Sequence, residues 1–258
     1  MDPNAFITEV CRRWSSLHPS PSIAFDDISQ SPMVRNAMET FRCLLPTDRT
    51  ARILDIGVGT GWFLAACIEL GYTNLYGADW GVDGQQHIRS WSRHIRELYE
   101  IGTSIGDFLS HQKDAYDCIH LSHVIEHIPK YSLLYAVDAL YYALKTNGML
   151  IVLTPNMEGP CALSCQYVTV DHEYGFSGSN LRVLLRICGF EDIILIPFKS
   201  KVVSIKQLCG AVIRKPFLYM NWLKHRLFGV NAGRVYGTDL VAVGYRRCKP
   251  ALFSDKYK

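Results

Sequence analysis

No run of 18 or more apolar residues occurs in the chain, so no helix is expected to span a membrane. No Cys-x-x-Cys pair occurs either, which removes the commonest redox and zinc spacings. The N-terminus lacks a basic segment leading into an apolar one, so no signal peptide is expected. The nine cysteines are odd in number and scattered. Without an export signal they read as reduced thiols, and the cytoplasm is the expected compartment. The close pair Cys161 and Cys165 reads as two neighbours on one helix face. Internal repeats and low-complexity tracts are missing too, which excludes solenoid and disordered classes. The last absence is local. From Lys199 to Thr238 there is no Asp or Glu, although eight Lys and Arg lie there.

What is present is the composition of a globular protein. The 258 residues are 48% hydrophobic and 20% charged, enough for one large α/β domain with additions. Apolar runs ending in an acid or a turn are read as strands at 51–56, 74–79, 117–122, 149–156, 192–198 and 239–247. Helical spacing is read over 1–18, 32–45, 62–70, 85–99, 132–144 and 179–190, and Asn147-Gly148 is taken to stop the fifth of these. Strands alternating with helices of this length predict a doubly wound, largely parallel sheet. Four segments follow: an N-terminal helical cap (1–50), a Rossmann-like core (51–198), a basic amphipathic helical insertion (199–237), and a last strand with tail (238–258). They are expected to make one structural domain.

The most specific stretch is "LDIGVGTGWFL". Asp55 precedes Gly57, Gly59 and Gly61 between a strand and a helix. Glycines let a ligand approach the backbone, and the helix N-terminus offers free N–H groups. The spacing is Gly-x-Gly-x-Gly, not the Gly-x-Gly-x-x-Gly of dinucleotide binders. Asp55 would repel a pyrophosphate but welcome an amino group. S-adenosylmethionine (SAM) has that group and no phosphate. Asp79, with Trp80 beside it, ends the second strand, where an acid accepts from ribose hydroxyls. Asp107 in "GDF" is suited to the adenine amino group, with Phe108 beside the ring; a helix cap is its alternative. Ser122, at the end of the strand 117–122, completes the cofactor-facing set.

"SHVIEHIP" follows at once. Read as a helix, His123, Glu126 and His127 share one face. That arrangement suits metal ligation, a general base with an orienting carboxylate, or structure alone. "VDHEYGFS" (170–177) is expected to fold back, bringing His172 as a further nitrogen. Three imidazoles and one carboxylate would suit Zn²⁺, Mn²⁺ or Fe²⁺ better than Mg²⁺. Without a metal, His127 or His123 is the candidate base. Tyr131 and Tyr174 are candidates for lining an acceptor pocket.

On these motifs the chain resembles the class I SAM-dependent methyltransferases, over roughly residues 33–247. The resemblance implies a seven-stranded sheet in the order 3-2-1-4-5-7-6 with strand 7 antiparallel. It implies SAM as cofactor, S-adenosylhomocysteine as product, and an acceptor beyond the strand 117–122. "SHVIEHIP" is similar to the Glu-x-x-Glu-His motif of ubiquinone-biosynthesis O-methyltransferases and small-RNA terminal 2′-O-methyltransferases, which use a metal. By that comparison Glu126 and His127 match, His172 corresponds to the later His of the RNA enzymes, and His123 replaces the first Glu. The stretch also resembles methyltransferases of bacterial polysaccharide gene clusters, which imply no metal. The implied function is O-methylation of a sugar hydroxyl in a surface glycan or its lipid- or nucleotide-linked precursor. The alternatives are RNA 2′-O-methylation, methylation of a phenol or quinone-type small molecule, and a non-catalytic SAM-binding subunit.

The acid-free segment mixes cations with large apolar residues such as Leu208, Phe217, Trp222 and Leu227. Outside it, 19 basic residues face all 24 acidic ones. Peripheral contact with an anionic membrane through 199–237 is one expectation; a lid with a solvated basic face is the other. The aromatic platforms of RNA-binding modules are missing, so nucleic acid is not the expected partner. Monomer and homodimer both stay open.

Overall fold

The computed structural model describes Glu9 and residues 24–80, 86–89, 91, 94–199, 204–228 and 237–247. The helix expected over 1–18 lies outside these residues, Glu9 apart. From residue 24 on, two helices precede the first strand, α1 (Phe25–Ser29) and α2 (Pro32–Phe41). Ser31 caps α2 by accepting a hydrogen bond from the Val34 amide at 3.2 Å, and Pro32 supplies the preset φ of a first helical residue. Then follow β1 (Ile53–Ile56), α3 (Trp62–Glu69), β2 (Leu75–Asp79), α4 (Gln86–Arg89), β3 (Ile95–Glu100), α5 (Ile105–Leu109) and β4 (Tyr116–Ser122). A 3₁₀ turn (Ile125–His127) leads to α6 (Leu133–Ala143), β5 (Leu144–Pro155), α7 (Ala162–Gln166), α8 (Gly178–Ile187), β6 (Glu191–Pro197), α9 (Ile205–Leu227) and β7 (Asp239–Tyr245).

The strands form one sheet in the order β3-β2-β1-β4-β5-β7-β6. Pairing is parallel except that β7 runs antiparallel to both β5 and β6. The sheet expected from the resemblance is therefore the sheet observed. Its central strands alternate between two cores. Leu54, Ile119, Leu121, Leu150 and Val152 face one side, against Val137 and Leu140 of α6 and Leu181 and Leu185 of α8. Ile53, Cys118, Ile151 and Leu153 face the other, against Val34 and Phe41 of α2 and Phe63 and Leu64 of α3. Burial on both faces is why these strands read as continuous apolar runs.

Two expectations are corrected. The helix expected over 85–99 is a short helix followed by the edge strand β3. Ile88, Trp91, Ile95 and Leu98 mimic helical spacing, but Ile95 and Leu98 pack from a half-exposed strand that, among the described residues, pairs with β2 alone. Asn147-Gly148 does not end a helix. Helix α6 stops at Ala143, and β5 starts at Leu144 with an irregularity: Tyr116 pairs with Leu144 but Cys118 with Met149. Asn147 sits in that irregularity at φ +65°.

Candidate active site

The strand ends of β1, β2 and β4 open onto a cavity of about 360 Å³. Such crevices at the carboxyl ends of parallel strands are the ligand sites of open α/β sheets. One wall is the loop after β1. Gly57 stands at φ +75° and Gly61 at φ +80°; a Cβ on Gly57 would meet Val124 Cγ2 at 2.3 Å. Only glycine fits at these places, and at Gly57 and Gly59 the bare backbone is left facing the cavity. The Gly57 amide donates to the Ala78 carbonyl at 2.8 Å, and the Gly59 amide donates to Asp79 Oδ2 at 2.9 Å. Asp79 Oδ1 accepts from the Trp80 amide at 2.7 Å, and both residues line the cavity. Ser122 lines it too, and its buried Oγ has no hydrogen-bond partner among the described residues.

The opposite wall is built after β4. His123 takes a left-handed backbone conformation, φ +53°, fixed by its amide donating to the Leu153 carbonyl at 2.8 Å. The chain then makes a 3₁₀ turn rather than an α-helix, so the expected shared helix face does not form. The residues meet by another route. Glu126 is buried and accepts from Thr154 Oγ1 at 3.0 Å, while His123 Nδ1 lies 3.3 Å from its other oxygen. The Glu126 carbonyl accepts from the Glu173 amide at 2.8 Å and so ties down the 170–177 segment. That segment brings Asp171 against His127, with Oδ2 3.1 Å from Nδ1. It also brings His172, whose ring centre lies 4.7 Å from that of His127. His123, His127 and Asp171 line the cavity.

A model of the methyltransferase domain family matches residues 33–194. The chain belongs to that family. It is a SAM-dependent methyltransferase. Among solved structures, a SAM-dependent methyltransferase from Archaeoglobus fulgidus is 21% identical, with a TM-score of 0.57 over 82% of this chain and 94% of its own. One from Mesorhizobium loti is 15% identical, with a TM-score of 0.57 over 85% and 100%. The 1,6-didemethyltoxoflavin-N1-methyltransferase of Burkholderia thailandensis, with S-adenosylhomocysteine bound, is 15% identical, with a TM-score of 0.59 over 96% and 92%. These identities support a shared fold. No curated protein matches the chain.

The cavity of this methyltransferase fits SAM. It offers the bare glycine loop, the Asp79 carboxylate and the unpartnered Ser122 hydroxyl on one wall. Four residues expected at the cofactor fall elsewhere. Gly61 does not line the cavity and packs against Trp91 and Ile88. Asp55 does not line the cavity. It is 2% exposed beneath the loop, with Oδ1 2.7 Å from Nδ1 of His120, its direct neighbour across the β1–β4 pairing. Asp107 is exposed, and its carboxylate accepts from Thr103, Ser104 and the Tyr135 hydroxyl at the start of α5. The cap of α5 is Ser104, whose Oγ accepts from the Asp107 amide at 3.1 Å; Asp107 sits in the first turn, and its side-chain bonds lower its pKa. Phe108 packs into the core against Tyr99 instead of reaching the cavity. The cavity wall at that end is Thr103 to Gly106, just before the acid that the sequence flagged. Tyr131 is exposed and Tyr174 packs against Phe176; neither lines the cavity.

Charge at the site is arranged in pairs. Burial pulls the His127 pKa down, but the hydrogen bond and charge of Asp171, with Glu126 behind, leave it raised. Burial likewise works against charging His123, and Glu126 and Asp239 outweigh it, so its pKa is also raised. Asp171 is held far below the usual carboxylate range, first by the His127 hydrogen bond. The sequence did not single out Asp171, His120 or Thr154. Asp171 carried a signal, as the acid directly before His172.

The fit to a metal rests on three residues, not four. Glu126, His127 and His172 each offer a ligand atom within 4.8 Å of the others. His172 Nδ1 faces the Gln166 carbonyl at 3.1 Å, and His127 Nδ1 faces Asp171. A carbonyl can only accept, so His172 carries its proton on Nδ1, and its Nε2 is free to ligate. His123 stands outside this group and bonds Glu126 from the other side.

Proposed function

We propose that this methyltransferase acts on oxygen, at a sugar hydroxyl of a surface glycan or of its lipid- or nucleotide-linked precursor. The observation that carries the reading is the Asp171–His127 pair on the cavity wall opposite the glycine loop. A hydroxyl must lose its proton as it is methylated, and a carboxylate-oriented imidazole is the group that takes it. The support for a sugar is the resemblance to polysaccharide-cluster enzymes; Thr169 and His123 add polar groups beside the pair on a wall that is otherwise largely apolar, with Val124, Ile128 and Pro129.

In this reading the loop at Gly57, Gly59 and Gly61 holds the methionine end of the cofactor, with Ser122 Oγ as a donor to it. Asp79 accepts from the ribose beside Trp80, and residues 103–106 enclose the adenine. Bound SAM supplies a methyl group for in-line displacement, which leaves S-adenosylhomocysteine. His127 accepts the acceptor's proton at Nε2, and Asp171 holds the ring through Nδ1 and stabilises the imidazolium. His123, backed by Glu126, positions the acceptor. Much of the acceleration comes from alignment of oxygen and methyl carbon.

A second reading is favoured by the compact set of Glu126, His127 and His172. There a divalent ion held by these residues would lower the pKa of the acceptor hydroxyl, as in metal-dependent RNA 2′-O-methylation. One experiment separates the two. Label is followed from SAM into lipid-linked glycan, RNA and soluble metabolites, with and without chelator. Label in glycan that persists with chelator supports the first reading. Label in RNA that chelator abolishes replaces it with the second.

A further inference from the structure

We infer that helix α9 (Ile205–Leu227) is a docking element for an anionic lipid bilayer, lying in the interface with its apolar face outward. No helix of the described residues is long and apolar enough to cross a membrane, so the contact is peripheral. The helix has 23 residues, a rod of about 34 Å at 1.5 Å per residue.

The inward side of the helix is known from its contacts. Asn221 Nδ2 donates to the Glu158 carbonyl at 2.7 Å, and Ala211, Leu218 and Trp222, on the same side, are partly covered. The other side carries a stripe at successive spacings of three and four: Ile205, Leu208, Val212, Pro216, Tyr219, Leu223 and Leu227. Every residue of the stripe is exposed, Ile205 by 80% and Leu227 by 74%. Ile213 and Met220 widen it and are exposed as well. A globular helix ordinarily turns such a stripe inward. This one turns it to the outside over its full length.

Charge decides what covers it. Arg214, Lys215, Lys224 and Arg226 are all exposed, and Lys215, Lys224 and Arg226 lie at the margins of the stripe. The 40 residues from Lys199 to Thr238 hold no acid to balance them. A second copy of the same helix, face to face, would set these cations against their own kind. An anionic headgroup layer complements them, while the acyl boundary takes the stripe. The proposal does not depend on which acceptor is methylated.

The test is cosedimentation of the full chain with vesicles of phosphatidylcholine containing 30 mol% (roughly the anionic share of an inner leaflet) phosphatidylglycerol, against vesicles of phosphatidylcholine alone. Binding to the anionic vesicles, weakened by salt, is expected. The variant K215Q/K224Q/R226Q should bind at least about 50-fold more weakly, since each cation near such a surface contributes about fivefold. A second variant, L208S/V212S/L223S, should lose binding while keeping its positive charge. All six side chains are exposed, and unchanged SAM binding by titration reports that both variants fold. Failure of the unmodified chain to bind anionic vesicles would overturn the proposal. So would a concentration-dependent dimer, measured by sedimentation equilibrium, that the serine variant abolishes while vesicle binding is absent.

Discussion

β4 and the loop after it carry three imidazoles, and two of them, His120 and His127, form pairs with carboxylates from elsewhere in the fold that are driven in opposite directions. In the first, Asp55 and His120 lie between adjacent strands, with His120 stacked on Phe63 at 3.6 Å and edged by Phe41 and Trp62. Burial there pushes the Asp55 pKa up, and the His120 charge and hydrogen bond only oppose it. In the second, Asp171 and His127 lie on the cavity wall with partial access to solvent, and the Asp171 pKa falls. The same two side chains therefore do different work. A pair sealed in a core supports the strand that carries the glycine loop. A pair at a cavity keeps a ring oriented and able to exchange a proton.

Removing one partner of each pair should break the comparison most sharply. Asp55→Ala leaves His120 buried with both ring nitrogens unpartnered, because Nε2 has no partner among the described residues already. It should cost about 3–5 kcal/mol of stability, measured by denaturant unfolding. Cofactor affinity, measured on protein still folded, should fall less than the stability. An Asp55→Ala protein with unchanged stability but no SAM binding would return Asp55 to the cofactor. His127→Ala should do the reverse. Methyl transfer should fall by roughly 10²–10⁴-fold, while the unfolding midpoint, measured above the raised His127 pKa, should fall less than for Asp55→Ala.

A third test uses pH. The His127 pKa is raised above its ordinary value of about 6.5, and the base must be unprotonated to act. The rate should therefore climb with pH through a value above 6.5, and Asp171→Asn should move that limb to lower pH. Stability from the pair runs the other way on the histidine side. It is fully present below about 6.5 and is lost as pH rises through the raised folded value. A rate flat in pH across this window would leave His127 without a base role. The smallest effect is expected from the carboxylate that has no imidazole. Asp107→Ala should change SAM affinity by no more than about twofold, the scatter of surface substitutions, whereas Asp79→Ala should weaken it clearly. Isothermal titration of both variants decides the point.

The parts legible in the sequence were those where local pattern and tertiary role agree. Central strands buried on both faces are mostly apolar, so β1, β4 and the later part of β5 are visible from composition. The glycine loop is visible because φ > 0 demands glycine. Edge strand β3 is polar on one face and borrows its apolar spacing from Ile88 and Trp91, so it resembled a helix. At the site, His123, Glu126, His127 and His172 could be named, but not how they meet. A left-handed residue and a 3₁₀ turn replaced the helix that their spacing suggested. Asp55 was legible as an acid before glycines. Its partner His120 was not, because register across 65 residues decides which side chains face each other.

The position of β7 has a consequence for how the molecule is made. It inserts between β5 and β6, and β6 pairs with nothing else in the described sheet. A chain still emerging from the ribosome, with residues 239–245 in the exit tunnel, has a complete glycine loop and the β1–β4 pairing. It cannot yet seat β6, and β5 has an open edge. His123 also waits, since Asp239, 3.9 Å from its Nε2, is the first residue of that strand. The strands that carry the glycine loop can thus pair without β7, whereas the seat of β6 and the contact between His123 and Asp239 require it.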